Sequence, residues 1–168
     1  MVCYVGIDPS LTAAAIFCES EERVIKTTTK NTDLDRFKTI TDEIFKIIFR
    51  QKEDVVVGIE GFSFGSRGRG VSKMYGIGWA IRIMLHEKNI PFYEITPTAL
   101  KKFATGSGKG EKALILKAVY KKWNYDTNNN NLADAYVLWK VVRHIHEETI
   151  PVLEYQKEVI EKLQKQKV

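Results

Sequence analysis

The sequence predicts an α/β domain: a five-stranded mixed sheet, three antiparallel strands followed by parallel ones, flanked by helices on both faces. Three observations carry this reading. Three short strand-like stretches open the chain, at 2–7, 12–18 and 23–29. Two more short apolar stretches, 55–60 and 91–95, each follow a helical pattern, as parallel strands joined by crossovers do. Between and after them, apolar residues recur at intervals of three and four, the period of a helix with one buried face.

Taken in order, 2–7 reads as a strand that Asp8-Pro9-Ser10 turns, because proline presets φ and aspartate favours turns. Residues 12–18 return, and the alternating, β-branched stretch 23–29 completes an antiparallel meander. Asp33 is expected to cap a helix reaching about residue 51, with Leu34, Phe37, Ile40, Ile44, Ile47 and Ile48 as its apolar stripe. The strand 55–60 is apolar up to Glu60, as a strand buried on both faces is. A glycine-rich loop at 61–70 leads into a helix over 71–88, and 91–95 forms the fifth strand. Pro97 suits the first turn of a short helix ending near Phe103. A second glycine-rich loop, 105–110, precedes helices at 111–123 and 131–147. Residues 1–149 are read as one domain. The lysine- and glutamate-rich tail, 150–168, is expected to be a loosely attached helix and not a second domain.

No apolar run approaches the ~20 residues that span a bilayer, and no basic stretch precedes the first strand, so neither a membrane anchor nor a signal peptide is expected. Cys3 and Cys18 lie in apolar strands without zinc-ligand spacing and are expected to be buried free thiols of a reducing compartment. The net charge of +5 favours a polyanionic partner, and many of the basic residues lie between Glu60 and the last long helix.

The chemistry is announced by three carboxylates in places where an acid is costly. Asp8 ends the apolar run of the first strand, Glu60 ends the apolar central strand just before Gly61, and Asp134 interrupts the apolar helix around Leu132–Trp139. A buried carboxylate must be paired, protonated or bound to a metal. Two at strand ends and one on a buried helix form a plausible oxygen cage for hard divalent cations, and hence for phosphodiester chemistry.

Four stretches in order, Gly6-Ile7-Asp8-Pro9-Ser10-Leu11-Thr12, Val57-Gly58-Ile59-Glu60, Gly108-Lys109-Gly110-Glu111-Lys112 and Leu132-Ala133-Asp134-Ala135-Tyr136, resemble the RuvC family of Holliday-junction resolvases over about residues 2–147. The short, lysine-rich form looks like a phage-type member. The resemblance implies the RNase H-like fold, and a homodimer that binds four-way DNA junctions in the cytoplasm of a bacterial or phage-infected host cell. It also implies paired symmetric nicks made with two Mg²⁺ or Mn²⁺ ions. Carried onto this sequence, Asp8, Glu60 and Asp134 become metal ligands, and Lys101 and Lys112 match basic positions near the scissile phosphate. Lys102 and Lys109 are read as gripping the DNA backbone. An aromatic just after the glutamate contacts the junction centre in the family. Phe62 and Phe64, beside Arg67 and Arg69, are candidates for stacking on unpaired bases, with packing onto the core the plainer alternative. The helix over 71–88 is implied to mediate dimerisation; its Gly76 and Gly78 permit close helix approach, while Met74, Ile77, Gly78, Ile81 and Leu85 read as core. His144 and His146 point to different helix faces and read as structural, and His86 as exposed.

The sequence departs from the family at one place. A second acid normally stands three or four residues before the position of Asp134, whereas here Asn131 and Asn130 stand there, in an asparagine run that also suits a helix cap. An amide offers a metal an oxygen but no charge. Two outcomes stay open: a three-acid catalyst, or a junction-binding protein with weakened catalysis, whether the amide is natural or engineered. A flap, fork or RNA–DNA hybrid nuclease of the same fold is a further alternative. An actin-like kinase or ATPase is disfavoured, because 168 residues cannot hold its two domains.

Overall fold

The computed structural model describes residues 2–63, 70–109, 111–147 and 152–166, without the side chain of Lys112. The strands are β1 (Val2–Asp8), β2 (Ala13–Cys18), β3 (Glu21–Lys26), β4 (Asp54–Glu60) and β5 (Phe92–Ile95). The helices are α1 (Asp33–Arg50), α2 (Val71–Glu87), α3 (Pro97–Thr105), α4 (Lys112–Trp123), α5 (Asn130–His146) and α6 (Glu154–Leu163). The sheet order is β3-β2-β1-β4-β5. The first three strands are antiparallel, and β4 and β5 run parallel to β1. This is the RNase H-like arrangement.

Two boundaries differ from expectation for local reasons. β3 ends at Lys26 because Thr27 turns its side chain and N–H back onto Leu11 and Thr12. Helix α1 is capped by Thr32, whose hydroxyl accepts from the Asp35 N–H at 3.1 Å, and not by Asp33. Leu34 lies off the apolar stripe of α1 and is 77% exposed; Arg36 is buried instead, donating to the Leu11 carbonyl and Thr27 hydroxyl. Cys3 and Cys18 are free thiols; Cys18 is buried as expected, whereas Cys3 is only half-buried. Among the described residues no helix is long and apolar enough to cross a membrane.

The two faces of the sheet carry separate cores. Val5, Ile7, Val57 and Ile59 point to the face covered by α1 and α2, where they meet Ile40, Ile44, Ile77 and Ile81. Tyr4 and Val56 point the other way, toward α5, with Tyr93 and Ile95 of β5. By the strand alternation, Gly6 and Gly58 share that second face, and they are register partners across β1 and β4. A methyl group on Gly6 would lie 1.9 Å from the Ala135 carbonyl oxygen; on Gly58 it would lie 2.8 Å from that of Leu138. The two glycines therefore form a trough in which the backbone of α5 rests directly on the sheet, an approach that any side chain would block.

The tail helix is not loosely attached. Gln156, Val159, Ile160 and Leu163 of α6 are buried, the apolar ones within the core on the α5 face. The Gln156 amide donates to the Phe103 carbonyl at 3.2 Å, and Tyr155 packs beside Gly106. Beyond α6, the Gln166 side chain accepts from the Glu94 N–H at 3.1 Å and donates to its carbonyl at 2.9 Å. It thus satisfies part of the free edge of β5 as a further strand would.

Candidate active site

Strands β1 and β4 are parallel neighbours whose last register pair is Ile7 with Ile59. The next residues, Asp8 and Glu60, therefore end adjacent strands at the same edge of the sheet and, by alternation, on the α5 face. The glycine trough fixes α5 over that face, and Asp134 precedes by one residue the Ala135 carbonyl that touches Gly6. The consequence is a single cavity of about 380 Å³ whose lining includes Asp8, Glu60, Asp134, Asn131 and Lys101. Asp8 and Asp134 are only 6% and 7% exposed, and Glu60 is half-buried. Its position outside the carboxyl ends of parallel strands is where open α/β sheets place their ligands.

Three carboxylates with two nearly withdrawn from water form a hard-oxygen donor set, which fits Mg²⁺ or Mn²⁺ chemically. Among the described residues no three Asp, Glu, His or Cys side chains are already gathered into a metal-holding group. The carboxylates line one cavity and would have to draw together around an ion.

The structure separates the two asparagines. Asn131 lines the cavity and its amide donates to the Ala13 carbonyl at 2.6 Å, joining α5 to the start of β2. Asn130 is the first residue of α5 and is not among the lining residues. The cap is Asn129, whose side chain accepts from the Leu132 N–H at 3.0 Å. An aspartate at 131 would set a carboxylate against the Ala13 carbonyl oxygen, so the amide has a structural partner that an acid could not keep.

Phe62 lines the cavity but is packed against α2. Its ring lies against Tyr75 and Trp79 at 5.2 and 5.3 Å between centroids, over Gly78, and the Arg82 guanidinium sits 4.3 Å above it. Phe64, Arg67 and Arg69 lie outside the described residues. Lys101 faces the cavity. Lys102 is not among the lining residues; it pairs with Glu158 of α6. Lys109 is exposed in the loop after Gly106, which closes α3 at φ +88°. The backbone of Lys112 starts α4. His144 is buried with Nδ1 2.6 Å from the Lys140 carbonyl, and burial pushes its pKa below the ordinary value of 6.5. His86 is exposed.

Sequence reasoning missed Arg82, which is 3% exposed and lines the same cavity. Its signal was available: Arg82 falls on the buried stripe Ile77-Gly78-Ile81-Leu85, where a charge needs partners.

The sequence model of the crossover junction endodeoxyribonuclease RuvC family matches residues 5–144. The chain belongs to the RuvC family. A curated relative, the crossover junction endodeoxyribonuclease RuvC of Borrelia turicatae, is 36% identical over 81 residues, which cover 48% of this chain and 50% of that protein. The match thus spans about half the length of that RuvC. Two solved structures share the fold. Thermus thermophilus RuvC superposes with a TM-score of 0.71 at 18% identity, over 90% of this chain and 99% of that one. T. thermophilus RuvC in complex with a Holliday junction substrate gives 0.71 at 17%, over 91% and 100%. The RuvC match ends at residue 144, so α6 lies beyond it.

Proposed function

We propose that this chain is a divalent-metal-dependent endonuclease that resolves four-way DNA junctions by paired nicks, acting as a homodimer. The observation that carries this reading is the cavity at the carboxyl ends of β1 and β4, which Asp8, Glu60 and Asp134 all line in a RuvC-family fold. In that reading the three carboxylates hold two ions, Mg²⁺ or Mn²⁺. When bound, such ions lower the pKa of the attacking water and stabilise the leaving 3′ oxygen. The residues of the chain prepare for this. Asp8 and Asp134 are nearly withdrawn from water, so a cation bound beside them would be attracted with less solvent screening. Lys101 faces the cavity and neutralises phosphate charge. Asn131 ties α5 to β2 and holds Asp134 over the strand ends. Lys112 acts near the scissile phosphate, Lys109 grips the DNA backbone, and Arg67 and Arg69 contact the junction beside the stacking aromatics.

The dimer reading rests on α2. Its inner residues Ile77, Ile81 and Leu85 are buried, yet Trp79 and Ile83 on its outer side are 55% and 53% exposed; Met74, expected in the core, instead lines the cavity and is 47% exposed. A helix that is apolar all round is ordinarily covered on both sides. Gly76 and Gly78, however, face Phe37 and Phe62 of the same chain, so the partner contact falls to the large outer side chains.

One observation favours a second reading, a junction-binding protein with weak catalysis: the amide of Asn131 stands in the cavity where the family has an acid. The test is cleavage of four-way junction, flap, fork and RNA–DNA hybrid substrates with Mn²⁺, with Asp134→Asn as the inactive control. Fast, Asp134-dependent nicking of opposing strands of the junction is expected. Preference for flaps or hybrids redirects the substrate class. If the chain binds junctions but stays inert, and Asn131→Asp or Asn130→Asp restores cutting, the second reading holds.

A further inference from the structure

We infer that Arg82 is a positioning residue for Glu60: it clamps the peptide that carries this carboxylate and ties it to the Phe62 ring. The inference rests on the reading of Glu60 as a metal ligand and deepens it.

Arg82 reaches the catalytic edge from α2, on the opposite face of the sheet to α5. Each of its three guanidinium nitrogens donates. Nη2 donates to the Glu60 carbonyl at 3.0 Å, Nη1 to the Gly78 carbonyl at 2.9 Å, and Nε to the Glu94 carboxylate at 2.8 Å. Its flat face lies over Phe62. The peptide unit after Glu60 is held at its other end as well, since the Gly61 N–H donates to the Ile95 carbonyl at 2.8 Å. Both polar groups of one peptide are thus fixed, which defines the direction in which the Glu60 side chain leaves the strand.

The clamp is itself braced. Glu94 sits on β5, and the Gln166 amide holds its backbone from both sides. A chain of contacts therefore runs from the C-terminal segment through Glu94 and Arg82 to Glu60. Only the planar, five-donor guanidinium can satisfy three acceptors and stack on a ring at once; a lysine ammonium would keep the charge and lose the fork. Arg82 is too buried to reach a phosphate, which assigns it to positioning and not to substrate contact.

The relation to Phe62 gives the clamp a second use. Movement of that ring, by a DNA branch point or by the partner across α2, would pull on the group that holds Glu60. Groups that orient metal ligands typically alter metal affinity or activity by about 10–100-fold when removed.

The experiment compares Arg82→Met, Arg82→Lys and Glu60→Gln in the full chain. Mn²⁺ affinity is measured by calorimetry, junction affinity in EDTA by gel shift, and single-turnover cleavage as a function of Mn²⁺. Arg82→Met is expected to weaken Mn²⁺ binding about tenfold or more and to raise the Mn²⁺ needed for half-maximal cleavage in parallel. Junction affinity without metal should stay within about twofold, and Arg82→Lys should fall between. Should Arg82→Met fail to fold, Glu94→Gln replaces it, with a smaller shift in the same direction. Unchanged Mn²⁺ affinity in the Arg82 variants, with Glu60→Gln inert, overturns the positioning role alone. Retained metal binding and cleavage in Glu60→Gln overturns the ligand reading, and Arg82's role with it.

Discussion

Glycines mediate close approach on both faces of the sheet, but they do so against different things. On the α5 face, Gly6 lies against the main chain of the helix at Ala135 O and Trp139 N, and Gly58 against Leu138 O and the Val142 side chain. On the α2 face, Gly76 and Gly78 lie against the rings of Phe37 and Phe62. A helix backbone cannot step aside without moving every residue on it, whereas a ring can turn. The α5 face is thus the rigid one, and it carries Asp134. The α2 face is adaptable, and it carries Phe62 and the exposed apolar stripe. One side of the molecule holds the carboxylates and the other can respond to what binds.

The sharpest way to break this contrast is Gly6→Ala. With a methyl 1.9 Å from a main-chain oxygen, it should destabilise by about 3 kcal/mol or more, at or above the usual overpacking range, read by urea denaturation. Cleavage should fall even in the fraction that folds, because α5 must lift. Next in size, Trp79→Ser should weaken self-association by roughly tenfold or more, the effect of losing an aromatic anchor, with the folding of the isolated subunit unchanged; analytical ultracentrifugation reads it. An unaltered dimer would place the interface elsewhere. Gly76→Ala should nearly cancel: alanine gains about 1 kcal/mol of helix propensity against a ring contact at 2.8 Å that Phe37 can relieve by turning. If it unfolds the protein as Gly6→Ala does, the two faces are equally rigid.

The smallest expected effect is with pH. Burial lowers the pKa of His144 on the α5 face, so the unfolded chain takes up a proton that the folded one refuses. The stability this histidine lends is complete above its ordinary value of 6.5 and is lost as the pH falls through the folded value. The melting temperature should therefore drop on acidification below that point, and His144→Phe should flatten the slope. Identical slopes would show that other groups dominate.

The candidate ligands Asp8, Glu60 and Asp134 were legible because each violates a local pattern: an acid at the end of, or within, an apolar run. Arg82 violates the pattern of α2 in the same way, yet a lysine- and arginine-rich chain hides one more cation among those expected to grip DNA. Lys102 illustrates what composition hides. It sits in a basic stretch, but Glu158, 56 residues later, takes it as a partner. The tail read as loose because its composition is charged. Its four buried residues, Gln156, Val159, Ile160 and Leu163, are enough to dock it, and composition averages them away.

By itself the sequence determined the order and type of the elements, and the three acids, since strand alternation, helical period and turn chemistry are local properties. Tertiary structure decided which asparagine enters the cavity, that Phe62 rests on α2, and that Arg82 holds Glu60 from the far side of the sheet. These outcomes depend on where α5 and α2 lie on the sheet. That placement comes from contacts between residues far apart in the chain, such as Gly6 with Ala135, which no local pattern encodes.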